Sequence, residues 1–301
     1  MTPSSRLSPG YVFTAVLGYS FYLTSNIIFM LLFPPLMVLL FWNVPLQCRV
    51  ATAVFRAYNR FLTRVYLPGL KIYRIREESG FDNGTPEKPA IFVANHRSRM
   101  DGPFLIPLMP NIGVVIKSSY ARMPLYRGLV KYLNFISVDP RSMDSLAEAK
   151  RRCIALLAQG KRLLIFPEGT RSAGTRLNVF KDLAFRLSIE TGTPVVPCIV
   201  HTDTPFMAKV KGSYFPGRTF DIVLRALGAE YCRENERPGE FAERVRRRMA
   251  EEITALDAGT QWERLSMVQK GDLRPHRASG VAHDKETVRR QPASPIQGKP
   301  S

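Results

Sequence analysis

From residue 11 to residue 42 the chain carries no charged side chain, an apolar run of about 32 positions. A straight helix of that length would reach about 48 Å, against a bilayer hydrocarbon core of about 30 Å. Pro34 and Pro35 interrupt the run. A proline pair removes two helix donors and clashes with the preceding turn, so a break or sharp kink is expected there, with a long helix before it and a short one after. Beyond this run, Arg56, Arg60 and Arg64 recur at i, i+4 and i+8, with Phe55, Tyr58, Leu62 and Tyr66 on roughly the opposite side. That spacing predicts an amphipathic helix lying in the headgroup layer, its basic face toward lipid phosphates.

After Leu70 the periodicity shortens. Residues 71–75 alternate, and short apolar runs at 90–94, 112–116, 133–138, 163–166, 195–200 and 220–227 read as strands, most of them buried. Residues 80–88 are rich in turn formers. Helical spacing covers 146–158, ending at Gly160, then 183–189 and 241–256. Strands alternating with helices predict an α/β domain: a mixed, largely buried sheet flanked by helices, preceded by an apolar membrane helix or kinked helical hairpin. The expected organisation is a membrane segment at 1–48, a basic amphipathic interfacial helix at 49–70, a catalytic domain at 71–260 and a disordered basic tail at 261–301.

Charge changes this picture in one respect. The 43 Lys and Arg against 25 Asp and Glu leave a formal net charge of +18. Nucleic acid, an anionic membrane surface or acidic small substrates would each suit it. No helix-turn-helix, zinc finger or RNP-type motif is present, so no nucleic-acid partner is expected. A mean hydropathy of −0.09 is too low for a polytopic transporter. Only Arg6 precedes the apolar run, whereas Arg49, Arg56, Arg60 and Arg64 follow it with no acid before Glu77. The positive-inside rule then puts the bulk of the chain in the cytoplasm, at the inner membrane. The run is too long for the core of a secretory signal peptide. Whether it spans the bilayer, dips into it or is buried as a soluble hairpin stays open at this level. The four cysteines have wide, irregular spacing and read as free thiols rather than a metal or redox motif.

Candidate chemistry begins with the histidines, which number four: His96, His201, His276 and His283. The last two lie in the tail. His96 follows an apolar strand directly, in Asn95-His-Arg-Ser-Arg-Met-Asp101, and strand ends of open α/β sheets are where ligands bind. Five helical residues rotate by about 140° net, so His96 and Asp101 share no helix face. They meet if His96 sits in the loop and Asp101 in the first helical turn. Asp101 would then hold one ring nitrogen and leave the other to accept a proton. No G-x-S-x-G elbow supplies an enzyme nucleophile, so attack by a substrate hydroxyl fits best. A second strand runs into a turn at Phe166-Pro-Glu-Gly-Thr-Arg-Ser172. Pro167 and Gly169 set a tight backbone path. Arg171 offers a planar fork for phosphate, and Thr170 and the turn amides offer neutral donors. Glu168 either holds an acceptor hydroxyl or braces Arg171.

Taken together, these two motifs resemble the glycerolipid acyltransferases of the lysophosphatidic acid acyltransferase kind, over about residues 70–225. The family's N-H-x-S-x-x-D is matched by Asn95, His96, Ser98 and Asp101, and its F-P-E-G-T-R-S by residues 166–172. Pro194-Val-Val-Pro197 is similar to its Pro-bracketed fourth motif, and Lys117, Pro124 and Gly128 stand where related sequences commonly have them. There are two departures. Where the second motif ends in V-D-R, Asp139 is followed here by Pro140, which moves Arg141 one place on. Phe180-Lys181-Asp-Leu183-Ala-Phe185 resembles F-K-x-G-A-F with Leu183 in place of glycine.

The resemblance implies an O-acyltransferase that moves a fatty acyl group from an acyl-CoA or acyl carrier protein thioester to a lysophospholipid hydroxyl, with 1-acylglycerol-3-phosphate the leading acceptor. His96 would take the hydroxyl proton and Asp101 would steady the imidazolium. Arg171, with Arg141 and Lys117, would hold the acceptor phosphate, Lys181 would support the site, backbone amides would stabilise the oxyanion, and an apolar tunnel would take the acyl chain. No metal or cofactor beyond the thioester co-substrate is expected. Other acceptors within the same chemistry are an ornithine-type lysolipid, a glycolipid or a phospholipid being remodelled. A non-catalytic basic module binding membrane or nucleic acid is the alternative from a different class, which tight salt-sensitive DNA binding without acyl transfer would favour.

Overall fold

The computed structural model describes residues 9–81, 88–122, 130, 132–210, 213–214 and 216–269. Pro124, Gly128, His276 and His283 fall outside them, as does most of the turn-rich stretch at 80–88. Seven strands form one sheet: β1 (Tyr73–Ser79), β2 (Ile91–Ala94), β3 (Ile112–Lys117), β4 (Ile136–Val138), β5 (Arg162–Ile165), β6 (Val195–Thr202) and β7 (Phe220–Ala226). Their order is β1-β7-β6-β2-β5-β3-β4. Only the β6–β7 pair is antiparallel, so β6, β2, β5, β3 and β4 share one direction and one carboxyl edge.

The buried strands point alternate side chains into two cores. In β2, Phe92 and Ala94 join one cluster, and Ile91 and Val93 join the other. This is why the run reads as uniformly apolar: period-2 alternation vanishes when both faces are covered. The second core is closed by the helices α4 (Met143–Ala158), α5 (Leu183–Thr191) and α6 (Pro238–Asp257), through residues such as Cys153, Phe185 and Val245. The first is covered by α1 (Pro9–Leu39), α2 (Val44–Arg60) and the single-turn helix α3 (Asp101–Leu105).

Three expectations are corrected here. First, the prolines do not end the N-terminal helix: α1 runs through Pro34 and Pro35 to Leu39. The chain reverses instead at residues 40–43, where the Asn43 side chain caps α2 by accepting from the Leu46 amide and Pro45 occupies its first turn. Phe33 and Met37, on either side of the prolines, are buried in the core, and this packing holds the helix together past its missing donors. Second, the basic face after α1 does not turn outward as a unit. Arg56 donates to the Pro107 carbonyl (3.0 Å), and Arg64 reaches the Phe104 carbonyl (2.9 Å) and Glu78. A six-residue π-helical stretch, Phe61–Tyr66, shifts the register there and breaks the i, i+4, i+8 line. The aromatic side, Phe55, Tyr58 and Tyr66, packs on α1 and the first core. Third, residues 261–269 are not tail. Gln261–Gln269 forms a helix, α7, whose Trp262 is buried and donates its indole N–H to the Thr202 carbonyl (2.7 Å). Trp262 and Leu265 at i, i+3 are the signal that a compositional reading of the tail overlooks.

Candidate active site

At the carboxyl end of β2 the chain leaves the sheet under tight control. The buried Asn95 side chain pairs twice with Val200 of β6, donating to its carbonyl (2.9 Å) and accepting from its amide (2.8 Å). His96 follows. Its Nδ1 lies 2.8 Å from Asp101 Oδ2, and the same oxygen accepts the backbone N–H groups of Arg97 (2.9 Å) and Ser98 (2.8 Å). An oxygen facing three nitrogens acts as an acceptor, so Nδ1 carries the hydrogen and the Nε2 lone pair is left over. The Ser98 hydroxyl accepts from the Met100 amide (3.0 Å) and rounds the loop into α3. Asp101 is buried while His96 keeps 24% of its side chain exposed, with Phe166 packed at 4.4 Å between ring centroids. Loop histidine and first-turn aspartate therefore meet as expected.

Glu168 is a correction. Its carboxylate neither braces Arg171 nor faces the surface. It is buried, with Oε1 accepting the His96 amide (2.8 Å) and Oε2 the Asn178 amide (2.9 Å). Burial pushes its pKa up, even though both amides favour the ionised form. Ser172 completes the clamp: its amide and hydroxyl both donate to the His96 carbonyl, at 2.7 and 3.1 Å. The second motif thus holds the backbone of the first from both sides. Glu168→Gln keeps the shape but turns one acceptor into a donor aimed at an amide. A lost buried acceptor costs about 1–3 kcal/mol, so thermal melting should show a fall of that order and kcat should drop with it; an unchanged kcat would remove Glu168 from the support of His96.

Gly169 adopts φ +65°, and a Cβ there would come within 3.0 Å of Lys181 Cε and Nζ, so the lysine lies directly over the turn. Thr170 is exposed and accepts from Lys209 Nζ (2.9 Å), and Arg171 Nη1 donates to the Met207 carbonyl (3.0 Å). Pro167 presents its carbonyl to the Lys181 amide (2.9 Å). Lys117 ends β3 and is exposed; Arg141, also exposed, follows β4 with its amide on Asp139 Oδ1 (3.0 Å). Both lie on the same carboxyl edge, one and two strands from β5, so about 5 and 10 Å further along. Among the described residues no contact joins either side chain to Arg171. No group of three or more His, Cys, Asp or Glu that could hold a metal occurs among the described residues.

Sequence reading passed over a buried network behind this site. Arg97 forms a two-pronged pair with Asp257 at the end of α6 (2.9 and 2.8 Å), donates to the Thr175 carbonyl (2.6 Å) and stacks on Trp262 at 4.6 Å. His201 Nε2 is 3.1 Å from the same aspartate. Burial raises the Asp257 pKa, but hydrogen bonds from His201 and Arg97 outweigh it and hold the carboxyl below its ordinary value. His201 is thus a structural partner, distant in role from His96. Its two companions come from positions more than 150 residues apart, which no local pattern reveals.

An acyltransferase family model matches residues 75–201, which contain both motifs. The 1-acyl-sn-glycerol-3-phosphate acyltransferase of Pseudomonas aeruginosa is 30% identical over 202 residues, 63% of this chain and 74% of that protein. The chloroplastic enzyme of that description from Arabidopsis thaliana is 30% identical over 144 residues, 47% of this chain but only 40% of the relative's length. The crystal structure of the 1-acyl-sn-glycerophosphate acyltransferase of Thermotoga maritima superposes with a TM-score of 0.62, covering 82% of this chain and 96% of that one. At 18% identity that likeness speaks for the fold. With the paired motifs, the shared α/β sheet and this coverage, the chain belongs to the acyltransferase family and is similar to its 1-acyl-sn-glycerol-3-phosphate acyltransferases.

Proposed function

We propose that the chain transfers a fatty acyl group from an acyl thioester, on coenzyme A or acyl carrier protein, to the free hydroxyl of 1-acylglycerol-3-phosphate, in phospholipid synthesis. The observation that carries this reading is the His96–Asp101 pair: Nδ1 is held at 2.8 Å and the ring is partly open. The acceptor O–H gives its proton to Nε2 as its oxygen attacks the thioester carbonyl. The imidazolium formed is stabilised by Asp101. Collapse of the tetrahedral intermediate breaks the C–S bond, and the proton passes from Nε2 to the departing sulfur. No enzyme acyl intermediate is required. An assay crossing coenzyme A and carrier-protein thioesters with a panel of lysolipids tests the reading; absence of transfer to any phosphorylated lysolipid would refute it.

Arg171 is the acceptor's phosphate ligand in this scheme. Among the described residues, only its Nη1 donates a hydrogen bond, to Met207. A charge-assisted bond contributes about 1.5–3 kcal/mol, so Arg171→Ala should raise KM for a phosphorylated acceptor roughly ten- to a hundredfold. Unaltered KM would dismiss the assignment.

The reading includes attachment to the cytoplasmic membrane with the catalytic domain on the cytoplasmic side. Residues Val16–Leu39 form a helix long and apolar enough to cross a bilayer. One side of it packs along the domain, from Phe21 on Tyr66 to Phe29 on Tyr58. The other exposes Leu23, Ile27, Leu31, Leu32, Val38 and Leu39. Such a helix, bound lengthwise to its domain, favours shallow immersion alongside the site over a free-standing span. A narrow apolar cleft lies between α1 and the site loop, lined by Gly18, Tyr22, Leu67, Ile72, Met100 and Phe206 among others.

A further inference from the structure

The positive charge of this protein is of two kinds. On α6 and just before it, Arg237, Arg244, Arg246 and Arg248 each meet a glutamate. Along the carboxyl edge of the sheet, Arg171, Lys181 and Lys209 meet no carboxylate among the described residues. Lys209 belongs to none of the family motifs. It sits on the strap that follows β6, described over residues 203–210 and 213–214.

This strap is fastened on both sides of Lys209. Ala208 bridges to Ser98 of the catalytic loop, and the Arg99 amide donates to the Met207 carbonyl (3.2 Å). On the far side, the Ser213 hydroxyl donates to the Ala208 carbonyl (3.0 Å), the Met207 amide donates to the Ser213 carbonyl (2.9 Å), and the Tyr19 hydroxyl of α1 donates to the Tyr214 carbonyl. Met207 holds φ +48°, a left-handed conformation unusual for a non-glycine residue. In that conformation its carbonyl serves both the Arg99 amide and the Arg171 guanidinium. So the strap grips Arg171 at one residue and, two residues later, sets an ammonium 2.9 Å from the hydroxyl of Thr170.

An exposed hydrogen bond from an ammonium to a hydroxyl is a weak reason to order a lysine, since it replaces an equivalent bond to water and the side chain loses rotamer entropy. Among the described residues the ammonium meets only Thr170, which takes one of its three donors. Two cations beside adjacent residues also repel each other unless an anion lies between them. We infer that Lys209 is a second cationic ligand for the acceptor's phosphate monoester, working with Arg171 across Thr170. A monoester carries between one and two negative charges near neutrality, so a fork and a point charge together match it better than they match a phosphodiester with one charge. Lys209 would therefore select acceptors whose phosphate is terminal. This rests on the proposed acyl transfer to a phosphorylated lysolipid, and the test separates the two.

The test uses the full chain in detergent as wild type, Lys209→Ala and Lys209→Arg. Equilibrium binding of 1-acylglycerol-3-phosphate and of monoacylglycerol, which lacks the phosphate, is measured alongside KM for acceptor and thioester. Lys209→Ala should weaken binding of the phosphorylated lipid about tenfold, leave monoacylglycerol binding and the thioester KM where they were, and be largely rescued by arginine. Unchanged affinity for the phosphorylated lipid, an equal loss for both lipids, or a rise confined to the thioester KM would each overturn the assignment. Charge-selective binding in a protein that turns over no thioester would keep the lysine's role and remove the acyl-transfer reading.

Discussion

Alanine at position 96 is expected to lower acyl transfer about a thousandfold, within the usual contribution of a positioned general base. The fold should survive. The imidazole is partly exposed and its loss vacates one of three contacts on Asp101 Oδ2, the Arg97 and Ser98 amides remaining. The pins on this residue are made by its backbone, to Glu168 and Ser172, and these an alanine retains. A steady-state assay with a matched thermal melt separates the two effects. Full turnover in a well-folded His96→Ala protein would sink the mechanism, whereas low turnover with a lowered Tm would point to loop disruption. Asp101→Asn should resemble it in rate but cost more stability, because its remaining oxygen must serve donors that now compete with an amide.

The second large effect is on stability, well away from the reacting atoms. Asp257→Ala leaves the Arg97 guanidinium charged, buried and short of its two-pronged partner. Removing one member of a buried pair costs about 3–5 kcal/mol, a fall in Tm on the order of 10 °C for a domain of this size. The double change Arg97→Met with Asp257→Leu removes both charges and should lose less than Asp257→Ala alone; an equal or greater loss would show that stacking on Trp262 and the Thr175 bond matter more than the pair. The pH dependence has a definite sign. The Asp257 carboxyl titrates below its ordinary value in the folded chain, because hydrogen bonds from His201 and Arg97 outweigh its burial. The native state therefore binds fewer protons there than the unfolded state. Its stabilisation is present above that value and is lost as pH falls through the lower, folded one. Chemical denaturation of wild type and Asp257→Ala at pH 7 and pH 3 should show the gap between them narrowing in acid.

These effects reach the site through short paths. Arg97 sits between His96 and Ser98, and its amide is one of the donors that orient Asp101. Freed from Asp257, its side chain no longer anchors the loop to α6. Asp257→Ala should then reduce kcat by less than His96→Ala does, even at temperatures where the fold is intact.

Much of this protein is written in local pattern. Strands β2, β5 and β6 are short apolar runs because both faces of the sheet are covered, and the flanking helices follow from the 3.6-residue period. The geometry of the dyad was legible as well: a histidine at a strand end and an acid five residues on can meet when the first lies in the loop and the second in the first helical turn, which is where they lie. The charge-free N-terminal run likewise dictates an apolar helix whatever surrounds it. Tertiary structure decided the rest. Whether Pro34 and Pro35 break a helix depends on what packs beside them, and Phe33 and Met37 are buried. Whether Glu168 meets substrate or backbone depends on where the chain folds back, and it folds back to the His96 and Asn178 amides. Arg97, His201, Asp257 and Trp262 meet only after the sheet and its last two helices have formed, and Lys209 reaches Thr170 only because the strap after β6 crosses the catalytic loop. Periodicity reports which face of an element is buried; it holds no information about which distant residue shares that burial.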